Sequence, residues 1–285
     1  MRHAILENAV GDRCAWFAPT PAGEGLLCAL ARYTGLPLRD GAPPAGCATL
    51  ELLPADLKVV ASTGLLRAAA CRIAMPSPEG AGRAWLVEWE RLSPPRRLMQ
   101  CRMLFFLGAV PLLTGGRTAM VHGSLARRGN SGALFCGPSG IGKSTTMRRL
   151  PEPWEVLADD CVLLTEREDG VFFAQPLTTW SVWQSGKPLM VEPDPSVRVP
   201  LEAVHLLERG KREERLPLSD REARLGISAS FADMINWHTA RGYTPEKRAE
   251  LHRCAFDFEE KLLARIPIDR LRLSLTGPLA EVLAE

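Results

Sequence analysis

The 285-residue chain lacks an apolar run long enough to cross a bilayer. Its most apolar stretch, residues 103–113, has about half the length that a spanning helix needs, so a buried helix is expected there and no membrane partner. The first residues lack the apolar core of a signal peptide. Charge of one sign is also scarce. Lys and Arg number 35 against 33 Asp and Glu, a net charge of +2 that leaves no electrostatic footprint for nucleic acid. The arginine pairs at 96–97, 127–128 and 148–149 are interspersed with acids and read as solvated surface. The 8 cysteines form no Cys-x-x-Cys pair and no Cys/His cluster with zinc-finger spacing. Without an export signal they are expected to be reduced thiols in a cytoplasm. There is no internal repeat and no low-complexity tract, and 46% hydrophobic with 24% charged residues is the balance of a globular chain.

The chain divides at Ser93-Pro94-Pro95, a helix-start signal with a capping serine and prolines in the first turn. Residues 1–92, rich in Gly and Pro, read as a small α+β region of unassigned role, with a helix over 25–33 and a strand at 85–87. Residues 93–285 read as the catalytic unit. A helix runs through Leu98, Met103 and Leu107 to Leu113 and stops at Gly115-Gly116. Strands are expected at 118–122 and 132–136, paired as a hairpin through a turn at 127–130. A helix over 144–150 ends at Pro151 and Pro153. Strands follow at 154–158, 161–164 and 171–173, then 203–207 and 271–275. Apolar spacing places helices at 220–237 and 245–264, and a short helix closes the chain.

The chemistry concentrates in Gly137-Pro138-Ser139-Gly140-Ile141-Gly142-Lys143-Ser144, which fits the phosphate-loop pattern G-x-x-x-x-G-K-S/T between a strand and a helix. A polyphosphate needs many donors at short range. Gly140 and Gly142 let the backbone curl so that its N–H groups converge, and the following helix adds the positive end of its dipole. Lys143 is expected to reach the outer phosphates, Ser144 to ligate a bridging magnesium, and Thr145 to complete the phosphate-facing set.

Downstream, residues 156–158 form an apolar strand that ends in Asp159-Asp160. A strand beside the phosphate-loop strand would bring both acids to the terminal phosphate, one for magnesium and one to take the proton of an attacking hydroxyl. Neighbouring residues of a strand point to opposite faces, so the acids can share a site only where the strand twists or ends. His122, followed by Gly123, ends the strand expected to pair with the phosphate-loop strand. There it could steady the transferring phosphoryl group or orient an acid.

His122-Gly123, the phosphate loop and Leu157-Ala158-Asp159-Asp160 together resemble the HPr kinase/phosphorylase family in order and spacing over residues 118–164. The resemblance implies an α/β fold with a phosphoenolpyruvate-carboxykinase-like P-loop kinase core, a mixed sheet with flanking helices. It implies transfer of the ATP γ-phosphate to a serine hydroxyl, with Mg2+ as cofactor. Carried over residue by residue, Lys143 contacts phosphate, Ser144 and Asp159 serve the metal, Asp160 is the base and His122 is an active-site residue. The family's downstream Glu-Ile-Arg-Gly-Leu-Gly signature, source of a metal-ligating glutamate, has no counterpart. The corresponding region reads Phe173-Ala174-Gln175-Pro176-Leu177-Thr178-Thr179-Trp180-Ser181. The chain also resembles the ScmC type of SynChlorMet peptide-modification cassettes, in which a Pro-Thr-Trp-Ser stretch follows the acids. Trp180 and Trp183 read as core packing, with the lining of an acceptor or adenine pocket as the alternative.

The expected function is an ATP- and Mg2+-dependent kinase acting on a hydroxyl of a peptide, small protein or small molecule, with homo-oligomers common in the family. The alternatives are a non-catalytic nucleotide-binding regulator and a partner-coupled ATPase.

Overall fold

A computed structural model describes residues 1–55, 71–74, 82–87, 93–180, 190–239 and 245–283. The chain is a mixed α/β protein built on two sheets. The first contains β1 (Arg2–Glu7), β2 (Arg13–Ala18), β3 (Leu38–Asp40), β4 (Ala48–Ala55), β5 (Cys71–Ala74) and β6 (Gly82–Val87), in the order β3-β1-β2-β4-β6-β5. Helix α1 (Pro21–Thr34) carries proline in its first turn and stops at Gly35, whose φ of 70° closes the last turn. It extends the expected helix over 25–33 at both ends, and the strand at 85–87 is the end of β6. Strands β1 to β3 gave no strong signal because they are short and alternate only loosely.

Helix α2 (Pro94–Thr114) starts after Ser93 in extended backbone and ends at Gly115. At 21 residues it is longer than its apolar run. It is the one described helix whose length and composition suit a membrane span, yet 67% of its apolar window is buried within the protein. Its partner on the first sheet is Trp16. The indole stacks on Phe105 at 5.3 Å and donates from Nε1 to the Leu104 carbonyl at 2.7 Å. Gly108 makes this approach possible, because a Cβ there would stand 2.4 Å from Trp16 Nε1. On the far side Trp180 packs against Phe105, Phe106 and Tyr33, as expected of a core residue. Ser181 and Trp183 lie outside the described residues, as does residue 92 at the expected boundary.

The second sheet contains β7 (Thr118–Arg128), β8 (Ser131–Cys136), β10 (Cys161–Glu166), β11 (Phe172–Leu177), β12 (Val199–Arg209), β13 (Glu214–Pro217) and β14 (Ile268–Leu273), ordered β11-β10-β7-β8-β12-β14-β13. Strand β11 also pairs with β12, at Phe173 with Pro200 and Ala174 with Val199, so five of these strands close on themselves. Strand β10 is buried at every position because both of its faces are covered. Cys161 and Leu163 join the cluster around α2, while Val162 and Leu164 face the cluster with Phe172, Phe231 and Phe258. Helices α4 (Asp220–Thr239) and α5 (Pro245–Leu263) supply Phe231 and Phe258, whose rings meet edge-on at 6.0 Å. Helix α6 (Ala280–Leu283) closes the described chain.

Three expectations change. Strand β7 is 11 residues long and does not end at His122, which sits mid-strand opposite Cys161. The helix after the phosphate loop, α3 (Lys143–Arg148), has 6 residues, fewer than the expected span over 144–150. Strand β9 (Trp154–Ala158) pairs with β7 and not with the phosphate-loop strand β8, whose neighbours are β7 and β12. The acids therefore stand one strand away from the loop. They come close to it because β9 and β10 lie end to end along β7 and break at Asp159-Asp160.

Candidate functional site

Strand β8 is buried from Gly132 to Cys136 and delivers the chain to the phosphate loop at Gly137. Gly137, Gly140 and Gly142 have φ of 152°, 79° and 122°. At Gly140 and Gly142 a Cβ would meet nothing within 4 Å, so glycine is needed there for backbone conformation and not for space. The Ile141 amide donates to the Pro138 carbonyl at 3.1 Å and closes the curl. Pro138, Ser139, Gly140 and Thr145 are exposed, which leaves the outer face of the loop open. Arg209, at the end of the parallel neighbour β12, braces the loop by donating to the carbonyls of Gly140 and Ile141.

Lys143 opens α3 and is only 7% exposed. Its Nζ donates to the carbonyls of Gly137 at 2.7 Å and Pro138 at 3.3 Å, so the ammonium lies along the loop. Burial pulls its pKa down, and the charges of Asp160, Asp233 and Asp159 push it back up.

Asp159 and Asp160 occupy the bend between β9 and β10. The Ser124 hydroxyl on β7 donates to the Asp159 carbonyl at 2.9 Å and lies 3.3 Å from its Oδ1. The Ser144 hydroxyl also acts on the Asp159 carboxylate, so the two residues expected at the metal are neighbours. Burial raises the Asp159 pKa, partly offset by the Ser144 hydroxyl, with Asp160 raising it further and Ser124 and Arg148 lowering it.

The Gly123 amide donates to the Asp160 carbonyl at 3.2 Å, which fixes the bend against β7. His122 Nε2 stands 3.2 Å from Asp160 Oδ1, and its Nδ1 stands 3.2 Å from Asp233 Oδ2 on α4. Arg102, 8% exposed on α2, interacts electrostatically with Asp160; burial lowers its pKa and the charge of Asp160 raises it.

Lys143, Ser144, Asp159, Asp160 and His122 thus form one connected group at the mouth of the loop. Sequence reasoning missed Ser124, Arg102, Arg209 and Asp233. Arg102 left a signal, a charge directly before the apolar stretch 103–113, and Ser124 follows His122-Gly123 directly. Asp233 left none, being one polar residue among many on a helix. Among the described residues no group of three or more His, Cys, Asp and Glu side chains converges as a metal cage. Residues 173–178 serve the joint between the sheets. Gln175 donates to the Glu7 carbonyl at 3.0 Å and Thr178 donates to the Tyr33 carbonyl.

A family model described as SynChlorMet cassette protein ScmC matches residues 103–285, well over half of the chain. The match begins within α2 and leaves the first sheet outside it. No curated protein matches the chain.

Proposed function

The chain belongs to the SynChlorMet cassette protein ScmC family, and on that premise we propose that it is an ATP- and magnesium-dependent kinase of the HPr-kinase-related kind. In this reading the β7–β8–β12 core is a phosphoenolpyruvate-carboxykinase-like P-loop unit, working in the cytoplasm. The phosphate acceptor is a hydroxyl of a peptide, small protein or small molecule, with serine the favoured type.

The observation that carries the proposal is the meeting of three motifs at one point. Ser144 stands beside the Asp159 carboxylate, and Asp160 next to it faces His122 Nε2 at 3.2 Å. The donor set suits magnesium, which typically takes one or two protein oxygens and fills its remaining positions with water and phosphate. Ser144 and Asp159 would hold it, and there it would neutralise charge on the β- and γ-phosphates. The curled amides of 137–142 bind the phosphates. Lys143, released from the Gly137 and Pro138 carbonyls, turns its ammonium to them. Asp160 takes the proton of the acceptor hydroxyl as the new O–P bond forms and ADP departs with the electrons of the old one. His122 orients Asp160.

The test is incubation with γ-labelled ATP, magnesium and the peptides encoded beside this chain, with the phosphate located by mass spectrometry. Asp160→Asn should keep nucleotide affinity and lose transfer by about a hundredfold or more. Undiminished transfer by that variant would remove Asp160 as the base. Among the described residues no three His, Cys, Asp or Glu side chains converge as a metal cage, which favours one rival, a regulator that binds nucleotide without turnover. Tight ATP binding with neither labelled product nor free phosphate would establish it, whereas free phosphate alone would indicate a partner-coupled ATPase.

A further inference from the structure

His122 is held at both ends. Nε2 faces Asp160 Oδ1 and Nδ1 faces Asp233 Oδ2, each at 3.2 Å. An imidazole with one carboxylate partner can still rotate about its ring bond and exchange its nitrogens. A second carboxylate on the opposite nitrogen removes that freedom and sets which nitrogen serves the first. Asp233 comes from α4, an element remote in sequence from the three motifs that packs on β7, and reaches His122 from there. Its own helix passes the end of the phosphate-loop strand one turn earlier, where the Ser230 hydroxyl, bonded to the Gly226 carbonyl at 3.2 Å, neighbours the Cys136 thiol. Ile227, Phe231 and Met234 on the same helix are buried against the core, so the backbone bearing Asp233 is fixed. The carboxylate itself is 43% exposed, which is more exposure than a purely packing role requires.

We propose that Asp233 is a positioning residue for the phosphotransfer assigned above, holding His122 so that the ring in turn fixes the Asp160 carboxylate. The role rests on the kinase reading, but Asp233's hold on the ring does not. Asp233 touches neither nucleotide nor acceptor in this scheme. Its removal therefore loosens the base without weakening phosphate binding.

The experiment uses the full chain with ATP and magnesium, water standing in for the acceptor, and follows phosphate release. Asp233→Ala should lower kcat by about 10- to 100-fold with KM for ATP little changed, and Asp233→Glu should restore most of the loss. An unchanged kcat, or a matching rise in KM that Asp233→Glu does not reverse, overturns the role. The second arm is nitrogen NMR of the histidine rings, with His122 identified by the signals lost in His122→Gln. Asp233→Ala should remove the hydrogen-bonded Nδ1 proton of His122 and leave the other histidines as they were. An identical His122 signal in wild type and Asp233→Ala overturns the proposal whatever the kinetics show. If the wild type releases no phosphate and labels no peptide, the kinase reading fails, while the ring signal still reports whether Asp233 holds His122.

Discussion

Two regions of this molecule use glycine for opposite reasons, and the contrast separates what holds the protein together from what shapes its candidate site. At the joint between α2 and the first sheet, Gly108 has ordinary backbone geometry, and a side chain is excluded because Trp16 fills the space. At the phosphate loop, Gly140 and Gly142 have empty space around them, and a side chain is disfavoured by φ alone. The joint is a dry fit of aromatic rings, Trp16 on Phe105 and Trp180 on Phe105 and Phe106. The loop mouth is sparse and polar, organised by single hydrogen bonds and an ion pair between residues from β7, the β9–β10 bend and α4. Packing errors should therefore unfold the first region and leave the chemistry of the second unchanged per folded molecule. Errors at the loop should do the reverse.

The largest effect expected on the chemical side is from Lys143→Ala, which should cost turnover about a thousandfold with little change in melting temperature. A large fall in stability would show that its bonds to Gly137 and Pro138 serve the fold, and would blur the contrast. On the packing side Trp16→Ala should destabilise by about 3–5 kcal/mol, read from denaturant unfolding, while the folded fraction keeps its ATP affinity. The glycines make the sharpest pair. Gly108→Ala should cost about 1–3 kcal/mol through overpacking. Gly140→Ala should cost about 1–2 kcal/mol through backbone strain and should also weaken nucleotide binding, which calorimetry would detect. If both variants lose stability and neither loses affinity, the two regions do not differ as described.

The smallest effect expected has the opposite sign. Burial lifts the Asp159 pKa above its ordinary value of 3.8, so the folded protein holds this proton more tightly than the unfolded chain does. Stability then falls as pH rises from 3.8 through the raised folded value, and at neutral pH the ionised carboxylate costs stability. Asp159→Asn should raise the melting temperature of the nucleotide-free protein slightly at neutral pH. The difference should vanish below pH 3.8, and magnesium-dependent nucleotide binding should be lost. A lower melting temperature at neutral pH would mean that the hydroxyls of Ser124 and Ser144 more than offset the burial.

Much of the residue 93–285 unit was legible because its signals are local. Prolines and glycines mark the ends of α2, the hairpin β7–β8 leads into a loop with its own pattern, and α4 and α5 carry helical spacing. The first sheet was largely illegible. Its short strands are stabilised by α1 and α2 packing over them, and that support leaves little trace in the strand residues. Strand β10 shows the same limit in another form. Its unbroken apolar run reads as a strand but does not say which cluster each side chain joins.

The residues proposed to grip phosphate were determined by sequence alone, since a curled loop needs particular φ angles and a neighbouring lysine, and both are properties of adjacent residues. Tertiary structure decided how the acids reach that loop, by setting β9 and β10 along β7 and breaking them opposite Gly123 and Ser124. It also decided that His122 would be held from the far side by Asp233. The physical reason is range. Backbone conformation is encoded within a few residues, whereas a hydrogen bond between β7 and α4 depends on which surfaces bury each other, and its two partners stand 111 residues apart.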